Sequence, residues 1–188
     1  MSSISKASRL FDRIDQREYL FCQALNRTVR FRPVLAYFRT VSRLGDGWFW
    51  YVLILSIPVL APGNGAALAL LMALTGLTCT LTYKGLKRWL IRERPFISFP
   101  AINCGTPPLD RYSFPSGHTL HAVCFQVMLA RTLPALAWWV LPFTLSVAAS
   151  RVVLGLHYPS DVVAGALIGG SLGLLSVRML APALTVAA

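Results

Sequence analysis

The stretch Ser150-Arg151-Val152-Val153-Leu154-Gly155-Leu156-His157-Tyr158-Pro159-Ser160-Asp161 joins the last two apolar runs of the chain. It places a cation, an imidazole and a carboxylate (Arg151, His157 and Asp161) between segments that are too apolar for a water-exposed surface. Ionisable residues are costly to keep at the edge of apolar spans, and they typically mark a functional site. The stretch therefore predicts a bundle of apolar helices with its chemistry at one end.

The composition of the 188-residue chain favours a membrane protein. Hydrophobic residues make up 55% of it and charged residues 13%, and the mean hydropathy is +0.59, whereas a soluble domain has about a quarter charged residues. The net charge of +11 would also suit nucleic acid, but tryptophans and leucines fill the apolar runs instead of alternating with the cations. Anionic lipid head groups and an anionic substrate explain the charge, and we predict no nucleic-acid partner.

Residues 47–188 contain five apolar runs, which predict an all-α, integral-membrane bundle of about five transmembrane helices. The runs are Trp48–Leu60, Ala66–Tyr83, Ser116–Leu129, Leu133–Ala149 and Val162–Leu180. The first is shorter than the ~20 residues of a span, so its helix is expected to begin before Trp48. The second is expected to continue as a helix to Pro95. The fifth contains glycines at a spacing that allows close approach of a neighbouring helix.

Residues 1–46 are predicted to form a basic amphipathic arm at the membrane interface. They hold nine of the 18 basic residues, and Leu10, Ile14 and Leu25 are among the apolar residues that recur with helical period. A second short helix is expected from Pro33 to Arg43, followed by a bend at the nearby glycines. The alternative is a solvated, partly disordered arm. No signal peptide is evident in residues 1–32.

The four cysteines show no spacing typical of a zinc site or a disulfide framework. They are Cys22, Cys79, Cys104 and Cys124. We interpret them as small apolar fillers.

Two further polar clusters lie at the ends of predicted spans. Lys87 and Arg94-Pro95 end the second span, and Pro115-Ser116-Gly117-His118 opens the third. If each apolar run crosses the membrane once, both clusters lie on the same membrane face as the 150–161 stretch. Several cations suit a phosphate group, and a capped helix start with free N–H groups favours an anion.

Other polar residues near these clusters receive plainer interpretations. Lys84, Arg88 and Arg92 are interpreted as cations that extend from a helix end to the interface. His121 is interpreted as a supporting or lipid-facing residue. A carboxylate near one imidazole nitrogen, as at His157 and Asp161, can hold the tautomer so that the other nitrogen attacks. Taken alone, this pair could equally be a structural hydrogen bond.

With these motifs the chain resembles the type-2 phosphatidic acid phosphatase family, integral-membrane lipid phosphatases related to vanadium haloperoxidases. The family pattern is K-x6-R-P, then P-S-G-H, then S-R-x5-H-x3-D. Lys87 with Arg94-Pro95, Pro115 to His118, and Ser150-Arg151 with His157 and Asp161 match it at every position. The resemblance covers about residues 45–180. The N-terminal arm is less typical, because many relatives have a further span there.

The resemblance implies a covalent mechanism. His157 would be the nucleophile that forms a transient phosphohistidine, and Asp161 would orient it. His118 would protonate the leaving oxygen and then activate water. The residues that would hold the phosphoryl oxygens are Lys87, Arg94, Ser116, Gly117 and Arg151. The resemblance implies neither a metal nor a cofactor.

The substrate implied by the resemblance is an amphiphilic lipid carrying a phosphate or diphosphate. The small chain resembles bacterial members that act on polyprenyl diphosphate or phosphatidylglycerophosphate, and of these undecaprenyl diphosphate is the expected substrate. Phosphatidylglycerophosphate, phosphatidate and lipid A phosphates are alternatives. A non-enzymatic lipid-binding or transport protein would need no nucleophile, and composition argues against a haloperoxidase because those enzymes are soluble and larger.

Sidedness has two conflicting indications. With five spans and the arm on the catalytic side, 16 of the 18 basic residues lie on that side, which by the positive-inside tendency is the cytoplasm. The resemblance implies an active site on the outer face of the bacterial inner membrane. We predict the outer face.

A reporter fused after Ala188 tests this sidedness, because five spans place that end opposite the catalytic side. We expect a reporter that works only in the cytoplasm to be active when it is fused after Ala188. Activity of a reporter that works only in the periplasm would instead place the catalytic side in the cytoplasm.

Overall fold

The computed structural model of the protein describes residues 6–185 and the side-chain environments of residues 11–179. Within the described range it contains helices and loops and no strand. The helices are α1 (Lys6–Asn26), α2 (Arg32–Arg43), α3 (Phe49–Leu60), α4 (Gly65–Trp89), α5 (Pro95–Ser98), α6 (Gly117–Thr132), α7 (Pro134–Val153) and α8 (Pro159–Thr185). The predicted all-α fold class is confirmed.

Of the helices in the described range, three are long and apolar enough to cross a bilayer, judged by length and composition. They are α4, α7 and residues Pro159–Met179 of α8. The first and third predicted runs are helical but shorter. α3 has 12 residues and α6 has 16, fewer than the about 20 of a typical span. The protein is therefore a helical membrane protein, and the number of five spans stays a prediction.

α1 packs one face against the rest of the protein. Asp15, Cys22 and Asn26 on this face are buried. The Asn26 amide donates to the carbonyls of Asn103 and Val153, each at 2.9 Å, and accepts from the Asn103 N–H at 2.7 Å. These bonds attach α1 to two segments that are distant in sequence. The alternative of a disordered arm therefore does not describe α1.

The other face of α1 is exposed and carries both cations and large apolar side chains. Arg13, Arg17, Leu20 and Phe21 are exposed on it. This mixture is typical of a helix at a membrane interface, but the interfacial position and the division of the chain at residue 46 stay predictions. Residues 1–5 of the predicted arm and 186–188 of the predicted domain lie outside the described range, as do the side chains of Lys6, Arg9 and Leu10.

The second short helix and the bend after it are confirmed. α2 has Pro33 in its first turn, where the missing N–H costs nothing. A π-helical turn, Leu44–Trp48, connects α2 to α3, and its Gly47 has a φ of 141°, which side chains with a Cβ rarely adopt. Gly47 interrupts the helical backbone directly before Trp48, and α3 begins at Phe49. The expectation that the helix of the first run begins before Trp48 is therefore wrong.

α6 lies in the middle of the bundle, against α7, α8 and α4. Its Leu120 and Met128 pack with Trp50, Met72 and Val147 in the main apolar core. The four cysteines are free thiols in the described structure. Three of them are buried as expected for apolar fillers, but Cys104 is exposed. For Cys104 the interpretation as a filler is wrong, because it lies in the loop after α5.

Glycines in α8 allow its close packing against α6. A Cβ on Gly165 would lie 2.6 Å from the Ser116 carbonyl oxygen, and one on Gly173 would lie 2.7 Å from the Cys124 carbonyl oxygen. Gly169, between them, faces the Leu120 carbonyl in the same way. The small-residue contact predicted from the sequence is confirmed, and it places the start of α8 beside the start of α6.

The predicted extension of α4 to Pro95 is wrong. α4 ends at Trp89, and Arg94 has extended backbone (φ −84°, ψ 152°) before the short α5. Lys87 and Arg94 therefore do not share a helix face. The residue before a proline is disfavoured in helical conformation, and here the chain leaves the helix five residues earlier still.

The glycine contact predicts a difference between two neighbouring alanine variants. Gly169→Ala drives a Cβ into the Leu120 carbonyl, whereas Gly170→Ala places its Cβ at an ordinary 3.7 Å from the Val123 side chain. We expect Gly169→Ala to destabilise the protein by about 1–3 kcal/mol, measured by thermal unfolding in detergent. Gly170→Ala is the matched control and should be neutral or stabilising. Equal stability of the two variants would contradict the packing described here.

Candidate active site

A cavity of about 680 Å³ lies where the three polar clusters meet. The charged and imidazole side chains in its wall are those of Asp46, Lys87, Arg94, Asp110, His118, His121, Arg151 and His157. The apolar part of the wall includes Trp50, Ile54, Leu55, Met72, Leu77 and Phe125 from α3, α4 and α6. One continuous space is therefore charged at one end and apolar at the other.

His157 lies in the turn between α7 and α8. The amides of Leu156 and His157 both donate to the Arg151 carbonyl at 3.0 Å, and Gly155 has a φ of +73°, a left-handed value that glycine adopts readily. This turn directs the imidazole into the cavity wall, where the residue is 1% exposed.

The contacts of His157 indicate its tautomer. Arg94 Nη1 lies 3.2 Å from His157 Nε2, and a guanidinium only donates, so Nε2 is the acceptor. The ring proton of the neutral imidazole then lies on Nδ1, which is 3.5 Å from Asp161 Oδ2. Nδ1 has no hydrogen-bond partner within the described residues. Nε2 therefore carries the lone pair and faces Arg94, and an unprotonated nitrogen is what a nucleophile requires.

Burial lowers the pKa of His157 well below the ordinary imidazole value, and the positive charges of Arg94 and Arg151 lower it further. A cation cluster around a buried imidazole disfavours the imidazolium. The side chain is therefore neutral at physiological pH, and its Nε2 lone pair carries no proton, although it accepts a hydrogen bond from Arg94.

Asp161 is in the first turn of α8 and is fully buried. Its Oδ2 accepts from the Tyr158 N–H at 2.8 Å, and its Oδ1 accepts from Arg92 at 2.5 Å. Both oxygens are thus held, and Oδ2 is the one nearer His157. The four-residue spacing noted in the sequence does bring the carboxylate to the imidazole.

Lys87 and Arg94 converge through a carboxylate that sequence reasoning missed. Lys87 Nζ donates to both oxygens of Asp110, at 2.7 and 2.9 Å, and to the Tyr112 carbonyl at 2.8 Å. Arg94 donates to the same carboxylate at 2.8 Å and to the Leu156 carbonyl at 2.8 Å. One sequence feature could have indicated this role of Asp110: it is the only acidic residue of the loop between Pro95 and Pro115.

The two cations also set the charge of Asp110. Burial alone would raise the pKa of Asp110, but the hydrogen bonds and charges of Lys87 and Arg94 outweigh it, so the pKa lies below the ordinary value. The carboxylate is ionised and bridges the two cations across the cavity wall.

Arg151 extends from the last turn of α7 into the cavity wall and is 2% exposed. Its Nη1 donates to Ser42 Oγ at 2.6 Å. Its Nε has no hydrogen-bond partner within the described residues. A buried guanidinium with an unused donor at a cavity is suited to bind an anion.

His118 faces the cavity from the start of α6, and its Nε2 pairs with Asp46 of the π-helical turn. Asp46 is a second residue that sequence reasoning missed. The sequence signal that could have indicated Asp46 is that it is a lone carboxylate between two glycines at the start of an apolar run. A carboxylate in that position is costly unless it has a role.

Ser116, Gly117 and His121 occupy different positions around the cavity. Ser116 is buried and caps α6 through the Thr119 N–H; it does not line the cavity in the described structure. Gly117 and His121 do line it. His121 lies 2.9 Å from the Gly117 carbonyl and 3.1 Å from the Gly76 carbonyl, so it supports the contact of α6 with α4 and does not face lipid.

The interpretation of Arg92 as an interface cation is wrong. Arg92 is 2% exposed and forms ion pairs with Asp15, Glu18 and Asp161. The chain leaves α4 at Trp89 and turns back toward the protein, so a cation expected at the surface is carried inside. No grouping of three or more His, Cys, Asp or Glu that could hold a metal occurs among the described residues.

Comparison with known proteins gives consistent matches. The PAP2 superfamily matches residues 64–183. The decaprenylphosphoryl-5-phosphoribose phosphatase of Mycolicibacterium smegmatis is 44% identical over 108 residues, which are 56% of this chain and 51% of that protein. The protein of the same name from Mycobacterium tuberculosis strain CDC 1551 / Oshkosh is 32% identical over 155 residues, which are 76% of this chain and 78% of that protein. The match thus spans about half of the first relative.

A solved structure has a similar fold. The transmembrane PAP2 type phosphatidylglycerolphosphate phosphatase from Bacillus subtilis superposes with a TM-score of 0.71 at 26% identity. The superposition covers 88% of this chain and 85% of that one.

The cation cluster around His157 predicts an unusual titration. In ¹⁵N-histidine NMR spectra of the detergent-solubilised protein, we expect His157 to stay neutral at pH 6, below the ordinary imidazole pKa of about 6.5. The chain has only three histidines, so His157→Ala assigns the signal. A His157 signal that titrates at pH 6.5 or above would contradict the burial and the cation contacts described here.

Proposed function

Because the chain belongs to the PAP2 superfamily, we propose that it is a membrane lipid phosphatase that hydrolyses a phosphate ester of an amphiphilic lipid. The observation that carries the proposal is the cavity, whose charged end holds Lys87, Arg94 and His157 and whose other end is apolar. A phosphorylated lipid has the same two parts. Ligand sites typically combine an apolar lining with a few convergent polar groups.

The first chemical step forms a phosphohistidine. His157 Nε2 attacks the phosphorus atom, an N–P bond forms, and the bond from phosphorus to the leaving oxygen breaks. His118 donates a proton to that oxygen. The leaving oxygen has to take the place of Asp46, because His118 Nε2 is the atom that pairs with Asp46 in the structure.

The second step regenerates the enzyme. A water molecule gives a proton to His118 and attacks phosphorus, the N–P bond breaks, and phosphate is released. Asp161 Oδ2 lies 3.5 Å from His157 Nδ1 in the structure. It would move closer and accept from Nδ1–H as the ring becomes positively charged, which stabilises that charge.

Three cations next to the reacting imidazole would stabilise the transferring phosphoryl group. Lys87, Arg94 and Arg151 line the cavity, and Arg94 contacts the reacting nitrogen directly. Preorganised positive charge in a site that excludes water is an effective way to stabilise such a transition state. We propose that these cations act without a metal. Gly117, which lines the cavity at the start of α6, is proposed as a further phosphate ligand. Ser116, the other residue expected to hold phosphate, is buried as the cap of α6 and does not line the cavity.

For the substrate, we propose a polyprenyl-linked phosphate. The names of the two mycobacterial relatives support this class, since both are decaprenylphosphoryl-5-phosphoribose phosphatases. Undecaprenyl diphosphate, the substrate expected from the sequence, belongs to the same class. Phosphatidylglycerophosphate is the second candidate, because the similar structure from Bacillus subtilis bears that activity in its name. The charged residues are proposed to bind only the phosphate, which all these lipids share, so the apolar end of the cavity would have to distinguish the lipids.

The test is phosphate release by purified protein in detergent with EDTA. Decaprenylphosphoryl-5-phosphoribose, undecaprenyl diphosphate, phosphatidylglycerophosphate, phosphatidate and lipid A are offered separately. We expect turnover to persist in EDTA and to be fastest for a polyprenyl lipid. His157→Ala should lower the rate by on the order of 10³-fold or more, because no other group replaces the nucleophile.

His121→Asn is the matched control, since it changes another histidine of the same cavity wall, and it should retain the rate within tenfold. An undiminished rate in His157→Ala would exclude the nucleophile. Absence of turnover with every lipid would favour a lipid-binding or transport protein, and rescue only by a divalent metal would exclude the cation-only mechanism.

A further inference from the structure

Arg92 is a buried cation that the proposed mechanism does not use. It lies in the non-helical segment between α4 and α5 and is 2% exposed. A charge in this position costs several kcal/mol unless it is well paired. The partners that neutralise Arg92 therefore indicate which parts of the structure it connects.

Arg92 uses all five N–H groups that a guanidinium has. Nε donates to Asp15 at 2.9 Å, and Nη2 donates to Asp15 at 2.6 Å and to Glu18 at 3.1 Å. Nη1 donates to Ser160 at 2.8 Å and to Asp161 at 2.5 Å. The guanidinium carbon, Cζ, also lies over the Tyr158 ring, 4.1 Å from its centroid. These contacts fix both the position and the orientation of the cation.

α1 supplies most of this arrangement. Asp15 and Glu18 are one turn apart on its buried side, and Glu18 also accepts from the Ser160 N–H at 2.8 Å and from Ser160 Oγ at 2.7 Å. Ser160 is in the first turn of α8, directly before Asp161. The N-terminal helix thus holds Arg92 from one side and the start of α8 from another.

One N–H group of Arg92 Nη1 donates to Asp161, the carboxylate next to the reacting histidine. Asp161 Oδ1 is bound to Arg92, and this contact fixes the carboxylate plane so that Oδ2 lies 3.5 Å from His157 Nδ1. Oδ2 is also held by the Tyr158 N–H at 2.8 Å. If Oδ1 lost its donor, this one contact would remain, and the carboxylate plane could turn about it, which would change the direction from which Oδ2 faces the imidazole.

We propose that Arg92, held by the N-terminal helix, is a positioning residue that orients Asp161 toward His157. This role rests on the proposed function, because Arg92 acts only through the two residues assigned to nucleophilic attack. It makes α1 part of the catalytic apparatus although α1 itself does not line the cavity among the described residues.

A purely structural role for Arg92 is the competing explanation, in which it only fastens α1 to the protein. Asn26 provides a matched control for that role. It also fastens α1, through the bonds to Asn103 and Val153, and it is not a partner of Arg92. If fastening alone matters, loosening α1 at Asn26 and changing Arg92 should affect catalysis alike.

The test compares Arg92→Lys with Asn26→Ala in the full-length protein, at equal amounts of folded enzyme. A lysine keeps the charge but donates from a single atom. Arg92 reaches Asp15 from Nε and Nη2 and Asp161 from Nη1, so a lysine cannot reproduce both contacts in this geometry. We expect Arg92→Lys to lower kcat by about 10- to 100-fold, the range found for groups that orient an active-site histidine's partner in metal sites. KM should change by less than about threefold, because Arg92 does not contact the phosphate-binding end of the cavity.

A spectroscopic measurement separates the two roles independently of turnover. ¹⁵N-histidine NMR should show the Nδ1-protonated tautomer of His157 in the wild-type protein and a mixture of tautomers in Arg92→Lys. Asn26→Ala should unfold at a lower temperature but keep the wild-type kcat and tautomer. A kcat within threefold of wild type in Arg92→Lys, or equal loss of kcat in Asn26→Ala, would overturn the positioning role.

If Arg92→Lys does not fold, Asp15→Ala decides. It removes two of the five acceptor contacts and leaves the cation in place, so kcat should still fall while KM is kept; an unchanged kcat would overturn the proposal. Failure of the proposed function looks different, since the wild-type protein itself would then release no phosphate from any lipid.

Discussion

Four cationic side chains are buried at one end of an otherwise apolar bundle, and the rest of the site depends on neutralising them. They are Lys87, Arg92, Arg94 and Arg151, each no more than 7% exposed. A buried charge without a partner costs several kcal/mol, so the chain has to bring acceptors to it. Asp110 does so from a loop, and Asp15 does so from the N-terminal helix. Neutralising Lys87, Arg92 and Arg94 therefore also fixes the loop and the arm near the cavity. Arg151 differs, because its described hydrogen-bond partner is the neutral Ser42 hydroxyl.

Local patterns predict the helices and the motifs but not the partners of the cations. Apolar runs and small-residue spacing are properties of neighbouring residues, and they indicated the all-helical fold and the packing of α8 on α6. The partner of Arg92 is 77 residues away in sequence, and no local spacing reports such a distance. The prediction that Arg94 lies on the helix that ends at Pro95 is wrong for a related reason. α4 ends at Trp89, and the residues after it turn back to the contacts of Arg92 and Arg94 with distant segments, which local sequence does not indicate.

The scarcity of acidic residues is a signal that could have reduced these errors. The chain has 18 basic and only seven acidic residues. Five of the seven contact the site or its supporting cation: Asp15, Glu18, Asp46, Asp110 and Asp161. In a strongly basic membrane protein, carboxylates are not needed for solubility, so each one is informative. Considering all seven as potential partners of buried cations would have indicated Asp46 and Asp110, although not which cation each one meets.

The pairing of the cations also bears on how a phosphorylated lipid would be recognised. Lys87 has three N–H groups, and all three are bound, two to Asp110 and one to the Tyr112 carbonyl. At Lys87, an incoming phosphate therefore has to replace a carboxylate. The net gain in binding energy from this exchange is smaller than the strength of either ion pair. Burial of a lipid chain against Ile54 and Leu77, at roughly 25 cal/mol per Å², adds binding energy that inorganic phosphate lacks. We infer that the apolar end of the cavity retains the substrate, whereas Asp110, by returning to Lys87, favours release of the phosphate product.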